Sequence, residues 1–217
     1  MVAIQTQRKG VVYMKTVGYI LLGYLSGSVL YARLFTRLFG KEAMLDHSRD
    51  HNPGTANAFM YGGFWCGLLT LICDIGKGFL PVFLFLRTAK VVHTGELAIA
   101  LVLAAPVLGH VFPVFYRFRG GKGIATTFGC LLGLFPYWKP AVILAAFFIF
   151  FSLILRISPH YYRTLAAYFC SLFCMVFCVG QREALLGFVI ITTIVCTRMF
   201  ASSEEKEKMK VRLLWMH

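Results

Sequence analysis

The stretch GHVFPVFYRFRGGKGIATTFG, Gly109 to Gly129, gathers the groups of this chain best suited to hold a phosphorylated compound. Gly120, Gly121 and Gly123 carry no side chain, so an oxyanion can come close to their backbone N–H groups. Lys122 supplies positive charge among them, with Arg117 and Arg119 just ahead. Ile124-Ala125-Thr126-Thr127 then begins a helix, whose N-terminal end favours anions. The loop is not a Walker A motif, because GxxxxGK[ST] needs Ser or Thr where Gly123 stands and no strand pattern precedes it. His110 sits just upstream beside Phe112, Pro113 and Phe115, an expensive choice for a mere linker.

A second irregular stretch, DHSRDHNPGTAN at 46–57, is rich in turn formers rather than helix formers. Within apolar runs the chain places Arg33, Asp74 and Lys77. A lone ion there costs about 2.5–3.5 kcal/mol on insertion scales, so each must face a partner or a wet cavity. Asp74 and Lys77, three apart on one helical face, fit either a structural ion pair or a role in a site. Two acyl-transfer designs are excluded. Position five after each histidine is never Asp, so there is no H-x4-D box, and no G-x-S-x-G elbow occurs. The seven cysteines lack the C-x-x-C and Cys/His spacings of metal sites, and the Cys170, Cys174, Cys178 ladder reads as packing by small residues.

The elements that must position these residues are membrane helices. The chain is 59% hydrophobic and 14% charged, with a mean hydropathy of +0.72, more apolar surface than a soluble domain of this length can cover. Continuously apolar rather than alternating runs favour helices over a barrel. This predicts an all-α integral membrane protein of about seven transmembrane helices, at roughly 17–39, 62–86, 97–117, 123–138, 139–155, 164–180 and 183–200, the fourth and fifth being short. The odd-numbered connections and the tail carry about 13 Lys and Arg against about 7 on the other side, which predicts an N-terminus outside and a C-terminus in the cytoplasm. Both polar loops then face the cytosol. Residues 1–200 read as a single polytopic membrane domain and 201–217 as a short charged cytoplasmic tail, with no cleavable leader. The net charge of +13 fits the inside bias and anionic headgroups, and no motif supports nucleic acid as a partner.

Gly109-His110-x-Phe-Pro-Val-Phe115 followed by Gly120-Gly121-Lys122-Gly123-Ile-Ala-Thr126 closely resembles a signature of the bacterial membrane glycerol-3-phosphate acyltransferases that use acyl phosphate as donor, the PlsY type. Asp74, Lys77 and Gly78 match that family's Asp-x-x-Lys-Gly. Asn52, Gly54 and Asn57 match its second motif, whereas Asp50 and His51 replace a serine and a glycine. Met60 stands where a basic residue is usual. Arg198 matches the start of an Arg-His-x-x-Asn pattern in which Met199 and Ser202 replace His and Asn.

The resemblance implies an enzyme moving a fatty acyl group from acyl phosphate to the sn-1 position of glycerol 3-phosphate, giving lysophosphatidic acid for phospholipid synthesis in a bacterial cell membrane. An acyl phosphate is already activated, so no covalent nucleophile and no metal or organic cofactor is called for. On that reading Lys122, His110 and Asn52 are catalytic, and Gly54, Asn57, Lys77, Gly120, Gly121, Gly123 and Arg198 bind substrate phosphate. Membrane lipid is the remaining partner, with no obligatory protein partner. The altered motifs keep open a diverged or inactive relative with a changed acceptor. A small phosphate or anion transporter is the third reading, though no repeat of the kind transporters carry is visible.

Overall fold

The computed structural model describes residues 2–41, 52–88, 94–201 and 208–213. Helix α1 (Val2–Gly27) and the short α2 (Tyr31–Leu38) are separated by a break at Ser28–Leu30, and α3 (Thr55–Gly62) precedes the long α4 (Phe64–Thr88). Helix α5 (Glu96–Val111) runs into a single 3-10 turn at Val114–Tyr116. After the glycine loop come α6 (Ile124–Leu132) and α7 (Lys139–Ile149), the latter prolonged by a wider turn at Phe150–Ile154. Strand β1 (Leu155–Ser158), α8 (His160–Cys178), α9 (Arg182–Phe200) and β2 (Lys210–Leu213) complete the order.

Among the described residues five helical segments are long and apolar enough to cross a membrane: Val12–Leu38, Phe64–Thr88, Glu96–Tyr116, His160–Cys178 and Arg182–Phe200. The apolar segment Lys139–Ile154 is shorter. The run expected as a fourth span at 123–138 contains only the nine-residue α6. At 1.5 Å per residue that helix covers about 14 Å, half of a hydrocarbon core of about 30 Å. Gly133 caps it and Pro136 follows, which cannot continue a helix. The expected all-α class needs a second amendment. Strand β1 pairs antiparallel with β2, Leu155 opposite Leu213 and Ser158 opposite Lys210, so residues Lys210–Leu213 lie along the link between α7 and α8.

Helix α5 is the centre of the bundle, packed against α1 on one side and α9 on the other, while α4 packs on α6. Glycines set these separations. A β-carbon on Gly27 would collide with the Pro106 carbonyl, and one on Gly109 with the Tyr24 carbonyl. Likewise Gly78 abuts the Thr126 carbonyl and Gly129 that of Ile75. Close backbone approach of this kind is how helices associate in lipid, where apolar burial supplies no preference for helix over solvent. Around these contacts lies a core of Leu103, Val107, Leu131, Leu144, Tyr168, Phe188 and Met199. Tyr168 stacks on Phe188 with ring centroids 5.7 Å apart and donates its hydroxyl to Thr127 Oγ1 at 2.9 Å, tying α8 and α9 to the first turn of α6.

Candidate active site

The chain reaches the glycine loop by a sharp reversal. Helix α5 stops at Val111 because Pro113 follows, and Arg117 and Phe118 take left-handed conformations with φ of 52° and 60°. The reversal returns Gly121 to His110, whose carbonyl accepts the Gly121 N–H at 3.1 Å. Gly123 has φ of 79°, which favours a residue without a β-carbon, and it opens α6. Thr127 Oγ1 donates back to the Gly123 carbonyl at 2.8 Å. From the end of α9, Arg198 Nη2 donates to the Gly120 carbonyl at 2.9 Å. Lys122 is buried within this loop, with 6% of its surface exposed.

Beneath the loop lies the buried pair of α4. Lys77 Nζ stands 2.8 Å from Asp74 Oδ1, and both side chains are 1% exposed. The same ammonium donates to the Val29 carbonyl at 2.6 Å, in the break between α1 and α2, and meets His110 Nδ1 at 2.8 Å. The Tyr31 ring lies 5.6 Å from it. Asp74 has a further partner in Thr55, whose hydroxyl donates to Oδ2 at 3.4 Å. Thr55 belongs to the other irregular stretch, in which Asn57 Nδ2 and the Gly54 N–H both donate to the Asn52 carbonyl at 2.8 Å. The two polar stretches therefore converge on one ion pair: 52–57 through Thr55 to Asp74, and 109–123 through His110 to Lys77.

This geometry sorts the residues singled out from sequence. His110, Lys122, Gly120, Gly121 and Gly123 come together at the ends of α5 and α6, with Arg198 held against them. Asn52, Gly54 and Asn57 form a self-bonded turn at the start of α3, linked to the same centre by Thr55. Lys77 is buried beside them, hydrogen-bonded to the Val29 carbonyl and His110 Nδ1 and ion-paired with Asp74. Arg198 likewise spends a guanidinium N–H on the loop itself. Met199 is fully buried and Met60 is 71% exposed. Asp50, His51 and Ser202 lie outside the described residues. Thr55, Tyr31 and the Val29 carbonyl had not been singled out. Thr55 stands inside the Asn52–Asn57 motif, but nothing local signals the other two. Arg33 is exposed and lies over the Tyr116 ring at 5.7 Å. Among the described residues, no group of three or more His, Cys, Asp or Glu is placed to hold a metal ion.

A helical bundle with apolar segments of membrane-crossing length, carrying a lysine-bearing glycine loop over a buried ion pair, is the class these observations define. Residues 17–208 match the family model described as glycerol-3-phosphate acyltransferase, and the chain belongs to that family. It is 44% identical over 126 residues to a glycerol-3-phosphate acyltransferase of Pseudomonas paraeruginosa, covering 58% of this chain and 62% of that protein. It is 40% identical over 141 residues to one of Albidiferax ferrireducens, covering 61% of each. The aligned part is thus less than two thirds of these relatives' length. In fold the chain is similar to the crystal structure of PlsY, an integral membrane glycerol 3-phosphate acyltransferase, in its glycerol 3-phosphate form: TM-score 0.72, 22% identity, covering 86% of this chain and 88% of that one. The lysophosphatidic acid form of PlsY gives a TM-score of 0.67.

Proposed function

We propose that this protein transfers a fatty acyl group from acyl phosphate to the sn-1 hydroxyl of glycerol 3-phosphate, releasing lysophosphatidic acid and inorganic phosphate at the cytoplasmic face of a bacterial cell membrane. The observation that carries the reading is the tethered loop 120–123, with buried Lys122 at its centre, in a chain of the acyltransferase family. The glycerol hydroxyl oxygen attacks the acyl carbonyl carbon. The carbonyl-to-phosphate oxygen bond breaks, phosphate leaves with the electron pair, and the hydroxyl proton passes to a phosphate oxygen. What the protein contributes is position and charge. Lys122 and the amides of Gly120 and Gly123 bind phosphate at the start of α6, where the helix end adds favourable potential, while Gly121, whose own amide is bonded to the His110 carbonyl, has no side chain to obstruct the approach. The turn at Asn52, Gly54 and Asn57 flanks the second phosphate, and the acyl chain enters laterally from lipid.

Met199 favours a second reading. Its thioether is fully buried where the family pattern has histidine, so any polar work done there has been lost or moved, as in a relative with a changed acceptor. One experiment separates the two readings: synthesis into nanodiscs with palmitoyl phosphate and labelled glycerol 3-phosphate. Labelled lysophosphatidic acid that disappears with Lys122→Ala supports acyl transfer to glycerol 3-phosphate. Absence of product where the Pseudomonas relative is active overturns it in favour of the second reading.

A further inference from the structure

Lys77 dictates the protonation state of its neighbour. An ammonium has three N–H donors and no acceptor. Its hydrogen-bond partners Val29 O and His110 Nδ1, at 2.6 and 2.8 Å, must therefore both accept, while Asp74 Oδ1 stands 2.8 Å away as its counter-ion. Nδ1 accepts only through a free lone pair, so the ring proton belongs on Nε2 and the imidazole is neutral. A proton on Nδ1 would point at the ammonium hydrogens. A neutral lysine accepting that proton would strip Asp74 of its counter-charge, and the carboxylate is too far from Nδ1, at 3.9 Å, to bond it instead. A lone carboxylate in such a span costs about 2.5–3.5 kcal/mol.

The opposite side of the ring faces the loop. Nε2 lies so near the α-carbon of Gly121 that a β-carbon there would collide with it, and the Gly121 amide is bonded to the His110 carbonyl. The charged groups around the ring are Lys77 and Asp74 of α4 and Arg198 of α9.

We propose that Asp74 and Lys77 are positioning residues that lock His110 as its Nε2–H tautomer, so that the histidine serves loop 120–123 as a neutral hydrogen-bond donor to an oxyanion and not as a proton-accepting base. This rests on the reading of the loop as a phosphate and oxyanion site. It assigns the proton of the reaction to phosphate by leaving His110 without an available lone pair on the loop side.

The test uses the full chain in nanodiscs with 15N-labelled histidine. The signal of His110 among the six histidines is assigned by its loss in His110→Gln. Multiple-bond 15N–1H correlation at neutral pH without substrate is expected to show one neutral ring protonated on Nε2. An Nδ1–H ring or an imidazolium overturns the lock, and neither result depends on activity. Lys77→Met is expected to mix the two neutral tautomers. If that variant does not fold, the wild-type spectrum decides. The donor role is read in kcat: Gln places an amide N–H near the position of Nε2 and Asn near that of Nδ1. His110→Gln is expected to retain at least about tenfold more kcat than His110→Asn at similar KM, a partial recovery of the roughly hundredfold to thousandfold that one oxyanion donor is worth. Equal losses overturn the donor role. A locked ring in a chain that makes no lysophosphatidic acid would overturn the proposed reaction while leaving the lock intact.

Discussion

The guanidinium of Arg198, in the last turn of α9, donates to the carbonyl of Gly120 across 78 residues of sequence. That bond fixes one end of the glycine loop to the bundle, and the Gly121 amide bonded to the His110 carbonyl fixes the next residue. The loop is thus held in place by the protein's own hydrogen bonds, and fixed dipoles are most effective when preorganised in this way. Arg198→Ala removes a hydrogen bond from a charged donor, worth about 1.5–3 kcal/mol. Steady-state kinetics in nanodiscs are expected to show kcat/KM for glycerol 3-phosphate falling about tenfold to a hundredfold. Arg198→Lys is expected to recover little, since an ammonium on a flexible stem does not reproduce a planar fork. Full activity in the lysine variant would show that charge, not this bond, matters.

Gly121→Ala puts a β-carbon into the His110 ring. Either the imidazole leaves Lys77 or the loop moves outward, and a displacement of about 1 Å at a reacting centre costs about a hundredfold in rate. Thermal unfolding is expected to change much less than kcat, because the loop lies at the bundle's end. A variant with both quantities unchanged would mean that the ring and loop adjust freely.

Asp74 and Lys77 answer to a double-mutant cycle. Asp74→Ala or Lys77→Met alone leaves an uncompensated buried charge, and each is expected to cost about 3–5 kcal/mol of stability. The pair together is expected to cost less than the sum of the two, because the stranded charge is gone. Denaturation in detergent, followed by circular dichroism, measures all four corners. Strict additivity would contradict the 2.8 Å ion pair.

Two glycines on neighbouring helices make a controlled comparison. A β-carbon at Gly129 meets the Ile75 carbonyl, whereas one at Gly76 meets nothing within 4 Å. Gly129→Ala is expected to lower stability by about 1–3 kcal/mol, the usual cost of overpacking. Gly76→Ala is expected to raise it by up to about 1 kcal/mol through helix propensity. Equal midpoints for the two variants would refute the packing of α4 on α6.

Much of the site was legible before the fold, for a physical reason. The loop 120–123 announces itself because its glycines, lysine and helix start are contiguous. Asp74 and Lys77 announce a pairing because residues three apart are neighbours on one helical face. What sequence left open was which groups meet Lys77: Val29 and His110 are 48 and 33 residues away. The ribbon was illegible for the same reason: β1 is four residues of ordinary composition whose partner lies near the C-terminus. Apolar run length located the bundle, but it overstated the run at 123–138, where Gly133 and Pro136 end α6 after nine residues.

Gly27, Gly78, Gly109 and Gly129 each press on a main-chain carbonyl of another helix, those of Pro106, Thr126, Tyr24 and Ile75. A carbonyl is common to every amino acid, so no replacement at those four partner positions can make room for a side chain. In a selection for second-site suppressors of an alanine at any of these glycines, the partner codon offers no remedy. The revertants recovered would be the original glycine or changes that loosen a whole helix.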